Sequence, residues 1–182
     1  MPLYIAMFFE DSRLFNIAKK FEAYGYRAVE PSRQHLTLLF VGDPDSVHEH
    51  RIVEELRCLR LDPPLVLELE GMGLLPQHKL TNVVVFVKPD TRLFKLRRVL
   101  EEHVSKHFTL SDRYPFSPHI TIARRPRAPP SEVVPSVEEC LRKTERELPR
   151  TVMVKKISVV RSWRGVYRSL LDLFSLVSSP QL

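Results

Sequence analysis

Hydrophobic positions change period several times along this chain, and each change marks an element. Leu3 to Phe9 is an apolar run ending at Glu10-Asp11, the pattern of a buried strand. Ser12 to Tyr24 is amphipathic at helical spacing. Gly25 closes it, because a residue without Cβ enters left-handed backbone without penalty. His35 to Val41 is strand-like again and stops at the turn cluster Gly42-Asp43-Pro44. A helix is expected over about Asp45 to Leu59, with Val47, Ile52, Val53 and Leu56 on one face. Leu65 to Leu69 alternates as a strand, with Glu68 and Glu70 opposite its apolar positions.

The same order then recurs. Asn82 to Val87 is a β-branched run stopped by Lys88-Pro89-Asp90, and Thr91 to Phe108 keeps apolar residues at 93, 96, 100 and 104. The strand His119 to Ala123, a proline-rich loop (RRPRAPP) and a helix near Ser131 to Arg146 follow. Val152 to Val160 and Val166 to Phe174 read as closing strands. From the first strand of each half to its histidine is 32 residues (Leu3 to His35) against 36 (Val83 to His119). The chain therefore reads as one domain over residues 1–182, built of two diverged β-α-β-α-β copies at about 1–72 and 80–175. Two lobes sharing a cleft are expected.

Composition adds constraints. With 43% hydrophobic residues in 182, the chain buries an ordinary core, and its net charge of +6 is compatible with a phosphate-rich partner. The opening apolar run lacks a basic flank and is short, so it reads as a strand rather than a leader or membrane span. Cys58 and Cys140 stand alone in helix-like stretches, matching neither a zinc knuckle nor a disulfide framework, so the cytoplasm is the expected location. His103 and His107 have the four-residue spacing of metal ligands. They lie off the apolar stripe without a third partner, and a solvated helix face is expected.

Two strands hold the candidate chemistry. QHLTLLFVG at 34–42 and PHITIAR at 118–124 each place a histidine two residues before a threonine. Positions i and i+2 of a strand share a face, so His35 projects with Thr37 and His119 with Thr121, while Leu36, Leu38, Ile120 and Ile122 face a core. Two imidazoles and two hydroxyls across a cleft suit phosphoryl transfer. One neutral histidine takes the proton of an attacking hydroxyl or water, and the other, protonated, supplies the departing oxygen. The threonines donate to the non-bridging oxygens.

HLTL and HITI resemble the paired His-x-Thr-x signatures of the two-histidine phosphoesterases. Within them the chain is most similar to the RNA 2′,3′-cyclic phosphodiesterases, also called 2′-5′ RNA ligases. FVGD after the first motif, Arg124 five residues after His119, and the closing SWRGVYRSLLDLFSL extend the likeness over nearly the whole chain. The resemblance implies an α+β, bilobal fold with two antiparallel-type sheets facing across a central cleft. It implies hydrolysis of a terminal 2′,3′-cyclic phosphate to a 2′-phosphate by His35 and His119, without cofactor or metal, and 2′-5′ ligation as the reverse-type reaction. The implied partner is RNA with a cyclic phosphate end, transfer-RNA fragments among the candidates, handled by a monomer. No Gly-x-x-x-x-Gly-Lys-Ser/Thr segment exists for an ATP-driven ligase. Which histidine is base and which acid stays open at this level, because the motifs are near-equivalent.

Further residues carry weaker signals. Arg124 suits an anionic ester as a fixed positive charge. Arg125 and Arg127, and the C-terminal Arg161, Arg164 and Arg168, are candidates to steer an RNA strand. Tyr167 and Trp163 are candidates to stack on a base, and Phe116 is undecided between contact and packing. Two other functions fit the same residues: a non-catalytic module that holds RNA ends, and a phosphodiesterase for a small cyclic nucleotide.

Overall fold

The computed structural model describes residues 1–110, 115–163 and 166–176. Arg164, a candidate above, lies outside them. The strands are β1 (Leu3–Phe8), β2 (Arg27–Ala28), β3 (His35–Gly42), β4 (Val66–Leu75), β5 (Asn82–Val87), β6 (His119–Arg124), β7 (Thr151–Met153), β8 (Lys156–Trp163) and β9 (Val166–Ser175). The helices are α1 (Ser12–Lys19), α2 (Ser46–Arg57), α3 (Thr91–Ser105) and α4 (Val134–Thr144). Asp11, Asp45 and Asp90 cap the first three helices, each accepting backbone N–H groups of the first turn.

Every strand pair among the described residues is antiparallel, in the order β7-β4-β5-β6-β3-β1-β8-β9 with β2 beside β6. The α+β class and the antiparallel pairing are as expected. The two strand groups are not separate sheets, however: β3 and β6 meet at one bridge, Leu36 to Ile120, and the path is continuous. Each group also mixes both ends of the chain. β4 pairs with β5, whereas β8 and β9 extend the group of β1 and β3. The crossing happens at Val154-Lys155, where the Val154 N–H donates to Leu65 O and the Lys155 N–H to Phe8 O. That change of neighbour splits the single strand expected over Val152–Val160 into β7 and β8.

Other boundaries differ for local reasons. The expected helix 12–24 ends at Lys19 and gives way to a 3₁₀ turn, Glu22–Tyr24. Gly25 closes that turn at φ 81°, with its N–H on Glu22 O. The strand expected over Leu65–Leu69 runs on to Leu75, because hairpin pairing with β5 carries it past the point where alternation fades. Strand β2, two residues long, has no periodicity to read.

The main core joins both groups, including Leu3, Ile5 and Met7 of β1, Leu36 and Leu38 of β3, Val83 and Val85 of β5, and Ile120 and Ile122 of β6. Against it lie Leu14 and Ile17 of α1, Ile52 and Leu56 of α2, and Leu93, Leu96, Leu100 and Val104 of α3. The opposite face of β1 carries a smaller cluster of Tyr4, Ala6 and Phe8 with Val160.

A Cβ on Gly25 would stand 2.9 Å from Arg125 Nε, in backbone that L-residues resist. Gly25→Ala is therefore expected to destabilise by about 1–2 kcal/mol. A thermal-melting midpoint equal to the parent's would contradict this account of the turn.

Candidate active site

The register around the bridge builds the site. Leu36 and Ile120 are wholly buried, and the residues on either side turn to the other face: His35, His119 and Thr121 are half-buried and Thr37 is exposed. Continuing the antiparallel register by one residue sets His35 across from Thr121 and Thr37 across from His119. The two motifs thus lie diagonally on adjacent strands. Both strands then slip register at the same distance from the histidine, after Thr37 in β3 and after Thr121 in β6. The slips bury Leu38 and Leu39 in succession, and likewise Ile122 and Ala123. Such irregularities bend a strand and re-aim its side chains, and they recur beside functional groups.

Each imidazole is tied to the backbone two residues upstream. His35 Nδ1 lies 2.8 Å from Arg33 O, and His119 Nδ1 lies 2.8 Å from Ser117 O. A carbonyl only accepts, so Nδ1 carries the hydrogen in both rings and the lone pair of the neutral form sits on Nε2. The same tautomer is set twice, by the same means.

Their surroundings differ. His35 stacks on Tyr4 (centroids 5.6 Å apart), meets Phe8 at 5.6 Å and takes the edge of Tyr167 at 5.3 Å. Burial pushes its pKa down to about 4; the bond to Arg33 O opposes that, and the charges of Arg124, His119 and Arg33 add to it. His35 is therefore neutral at neutral pH. Tyr4 is held protonated by burial and by Tyr167, against the opposing influence of Arg124, Ser162 and Arg33. Arg124, exposed at the end of β6, thus acts on both Tyr4 and His35. Five residues after His35 the corresponding place holds Phe40, so only the second motif brings a cation.

The other candidates separate. Tyr167 is at the site, against His35 and Tyr4, with the Arg33 guanidinium 5.0 Å from its ring centroid. Arg125 is turned to the protein, with Nε on Tyr24 O (3.1 Å) and Nη1 on Arg127 O (3.0 Å) and Ala128 O (2.6 Å). Arg161 clamps the β3–α2 turn to the first residue of the chain. It donates to Glu49, Asp43, Met1 O and Pro44 O, and its side chain is 14% exposed. Phe116 packs with Phe94 and the Arg97 guanidinium. Trp163, 57% exposed, ends β8.

His103 and His107 are not on a solvated face. Both reach across to Glu55 of α2, at 2.6 and 3.2 Å, and Lys106 joins them at 2.6 Å. These ties hold Glu55 at a pKa of about 2, Lys106 contributing most.

Sequence reading missed Tyr4, Phe8, Arg33 and Lys156 as neighbours of the site. One signal was present: Tyr4 is a polar-tipped residue in an otherwise apolar strand. The side chains of β1 nevertheless divide between two buried faces, which a continuous apolar run conceals.

A family model for the 2′-5′ RNA ligase superfamily matches residues 8–165. A Thermus thermophilus protein called RNA 2′,3′-cyclic phosphodiesterase is 35% identical over 118 residues, 58% of this chain and 59% of that one. An Archaeoglobus fulgidus protein of the same name is 31% identical over 135 residues, 71% of this chain and 76% of that one. The crystal structure of a Thermus thermophilus protein superposes with a TM-score of 0.70 at 27% identity, over 97% of this chain and 98% of the other.

Because His35 stays neutral in the fold down to about pH 4 while an unfolded histidine protonates near 6.5, the unfolded chain binds the extra proton between those values. The stability tied to this residue is complete above pH 6.5 and is lost as pH falls toward 4. Thermal midpoints across that window should fall more steeply for the wild type than for His35→Gln. Parallel curves would show that His35 is not buried in its neutral form.

The match over most of the chain, joined to two histidine strands meeting at one bridge, places this protein in the 2′-5′ RNA ligase superfamily.

Proposed function

We propose that the protein is an RNA 2′,3′-cyclic phosphodiesterase that opens the terminal cyclic phosphate to a 2′-phosphate. The observation that carries the reading is the twin Nδ1–carbonyl tie, which gives both imidazoles the same tautomer with Nε2 as the working nitrogen. Water attacks phosphorus, the bond from phosphorus to the 3′-oxygen breaks, and that oxygen leaves as a hydroxyl. One histidine accepts the water proton and the other supplies the proton for the 3′-oxygen, so proton count and charge balance.

The unlike surroundings support assigning the roles. His35 is kept neutral by burial and nearby cations, which suits the general base. His119 then acts as the acid. Thr37 and Thr121 donate to the non-bridging oxygens, and Arg124 offsets the charge that grows there. Tyr167 shapes the wall beside His35. Arg125 supports the cleft indirectly, by holding the loop that leaves β6. With a 5′-hydroxyl in place of water the same groups would form a 2′-5′ linkage. The substrate in this reading is RNA with a cyclic end, transfer-RNA fragments included, bound by a cytoplasmic monomer without metal or cofactor. Among the described residues no helix is long and apolar enough to cross a membrane.

The test is product analysis on an oligoribonucleotide ending in 2′,3′-cyclic phosphate, in the presence of chelator. Wild type should yield a 2′-phosphate, and His35→Ala and His119→Ala should each lower kcat/KM by about 10²–10⁴-fold. The acid limb of the wild-type kcat/KM profile should lie near pH 4, the pKa of His35 in the free protein. Activity lost in chelator and restored by zinc, or a bound but unchanged end, would sink the reading.

A further inference from the structure

The sheet face that carries His35 continues past it into a pocket of about 350 Å³, which the chemistry above leaves unused. Phe8 and Tyr167, two of the rings that touch the imidazole, line it, so pocket and candidate centre adjoin. Strand pairing runs in one row from the centre to the far edge. Thr37 of β3 opposes Ala6 of β1, Ala6 opposes Ser158 of β8, and Ser158 opposes Asp172 of β9. Residues opposed in this way share a face of the sheet. Three strand spacings make the row about 14 Å long, and the side chains at its two ends shorten the gap to what one nucleoside spans.

The far end of the row is shaped by β9. This strand slips register against β8 on both sides of Asp172, passing over Leu173 and Leu170. Ser169 and Asp172, three residues apart, thereby reach the same face. The Ser158 and Ser169 hydroxyls both bond Asp172 Oδ1, at 2.6 and 2.9 Å. Burial raises the Asp172 pKa, but these two bonds and the Lys156 charge outweigh it and hold the carboxyl below its ordinary value. An ionised carboxylate only accepts, so each serine spends its single hydrogen there. Asp172 Oδ2 takes no hydrogen bond from the described residues, and both Asp172 and Ser169 are exposed. Toward a ligand this edge accepts and does not donate. The cations of the lining stand over its rings, Arg33 over Tyr167 and Lys156 over Phe8.

An acceptor-only edge suits the amino group of a nucleobase and opposes a carbonyl oxygen, lone pair against lone pair. A carboxylate reads the amino group of cytosine in this way. We propose that the pocket takes the base of the terminal nucleoside, and that Asp172 makes it selective for the amino bases cytosine and adenine over their carbonyl counterparts, uracil and hypoxanthine. The inference rests on the cyclic-phosphodiesterase reading and adds to it a preference for the last base of the strand.

Four cyclic mononucleotides form two pairs that differ at this edge: the 2′,3′-cyclic phosphates of cytidine and uridine, and those of adenosine and inosine. Wild type should favour the amino member of each pair by about 10-fold in kcat/KM, the discrimination of one charged hydrogen bond. Asp172→Asn keeps an acceptor for the two serines and adds a donor, so it should keep the thermal midpoint and lose or invert the preference. Equal rates within both pairs in wild type overturn the proposal. So does a fall of all four rates alike in Asp172→Asn, which marks the residue as structural only. If no substrate turns over, the cyclic-phosphodiesterase reading fails, and calorimetric titration with cytidine 2′-phosphate and uridine 2′-phosphate still decides the pocket. Tighter binding of the cytidine compound, levelled in Asp172→Asn, sustains it; equal or absent binding refutes it.

Discussion

One backbone bridge, Leu36 to Ile120, holds the two histidine strands side by side, and the site follows from it. Both residues are wholly buried, and truncating either to alanine would cost about 2–5 kcal/mol by the usual measure of a core aliphatic. Because strand side chains alternate, burying this pair obliges His35, Thr37, His119 and Thr121 to face the other way. A slip of one residue in either strand would drive an imidazole into the core and expose a leucine or isoleucine, so hydrophobic burial guards the register of the two motifs. Just beyond their threonines both strands also change register against their other neighbours, β3 against β1 and β6 against β5.

Upon this shared frame the two motifs are made unequal. The carbonyl tie and the register slip are the same on both sides, yet His35 sits among three aromatic rings while the second motif brings Arg124. Acid–base catalysis on phosphorus needs one neutral and one protonated partner at the same pH. Burial beside fixed cations lowers the pKa of His35, and in this chain that environment comes from β1, β9 and the Arg124 that ends the second motif rather than from the first motif itself.

The basic residues divide by the same logic of surroundings. Arg125 and Arg161 are absorbed by backbone carbonyls and carboxylates, holding a loop and a chain end in place. Arg33 and Lys156, which look ordinary in the sequence, are laid over aromatic rings at the edge of the site. A guanidinium clamped among several carbonyls becomes structure, whereas a cationic side chain laid over a ring covers apolar surface with its stem. The net charge of +6 says nothing about which is which.

The sequence by itself determined the elements and the motifs. Apolar period located β1, β3, β5, β6, α2 and α3 closely and the start of α1, while α4 was placed by its position after the proline-rich loop. The two His-x-Thr strands and Arg124 were legible as a candidate centre, because that information is local and periodic. Tertiary structure alone decided the rest. β8 and β9 join the strands of the first half because the chain changes neighbour at Val154-Lys155, two residues that no local pattern marks. Likewise, Glu55 gathers His103 of α3 with Lys106 and His107 just beyond its end, 48 or more residues away, so their spacing did not reveal their partner. The neutral state of His35 was equally hidden, since desolvation depends on Tyr4, Phe8 and Tyr167 closing over one ring from β1 and β9, at opposite ends of the chain.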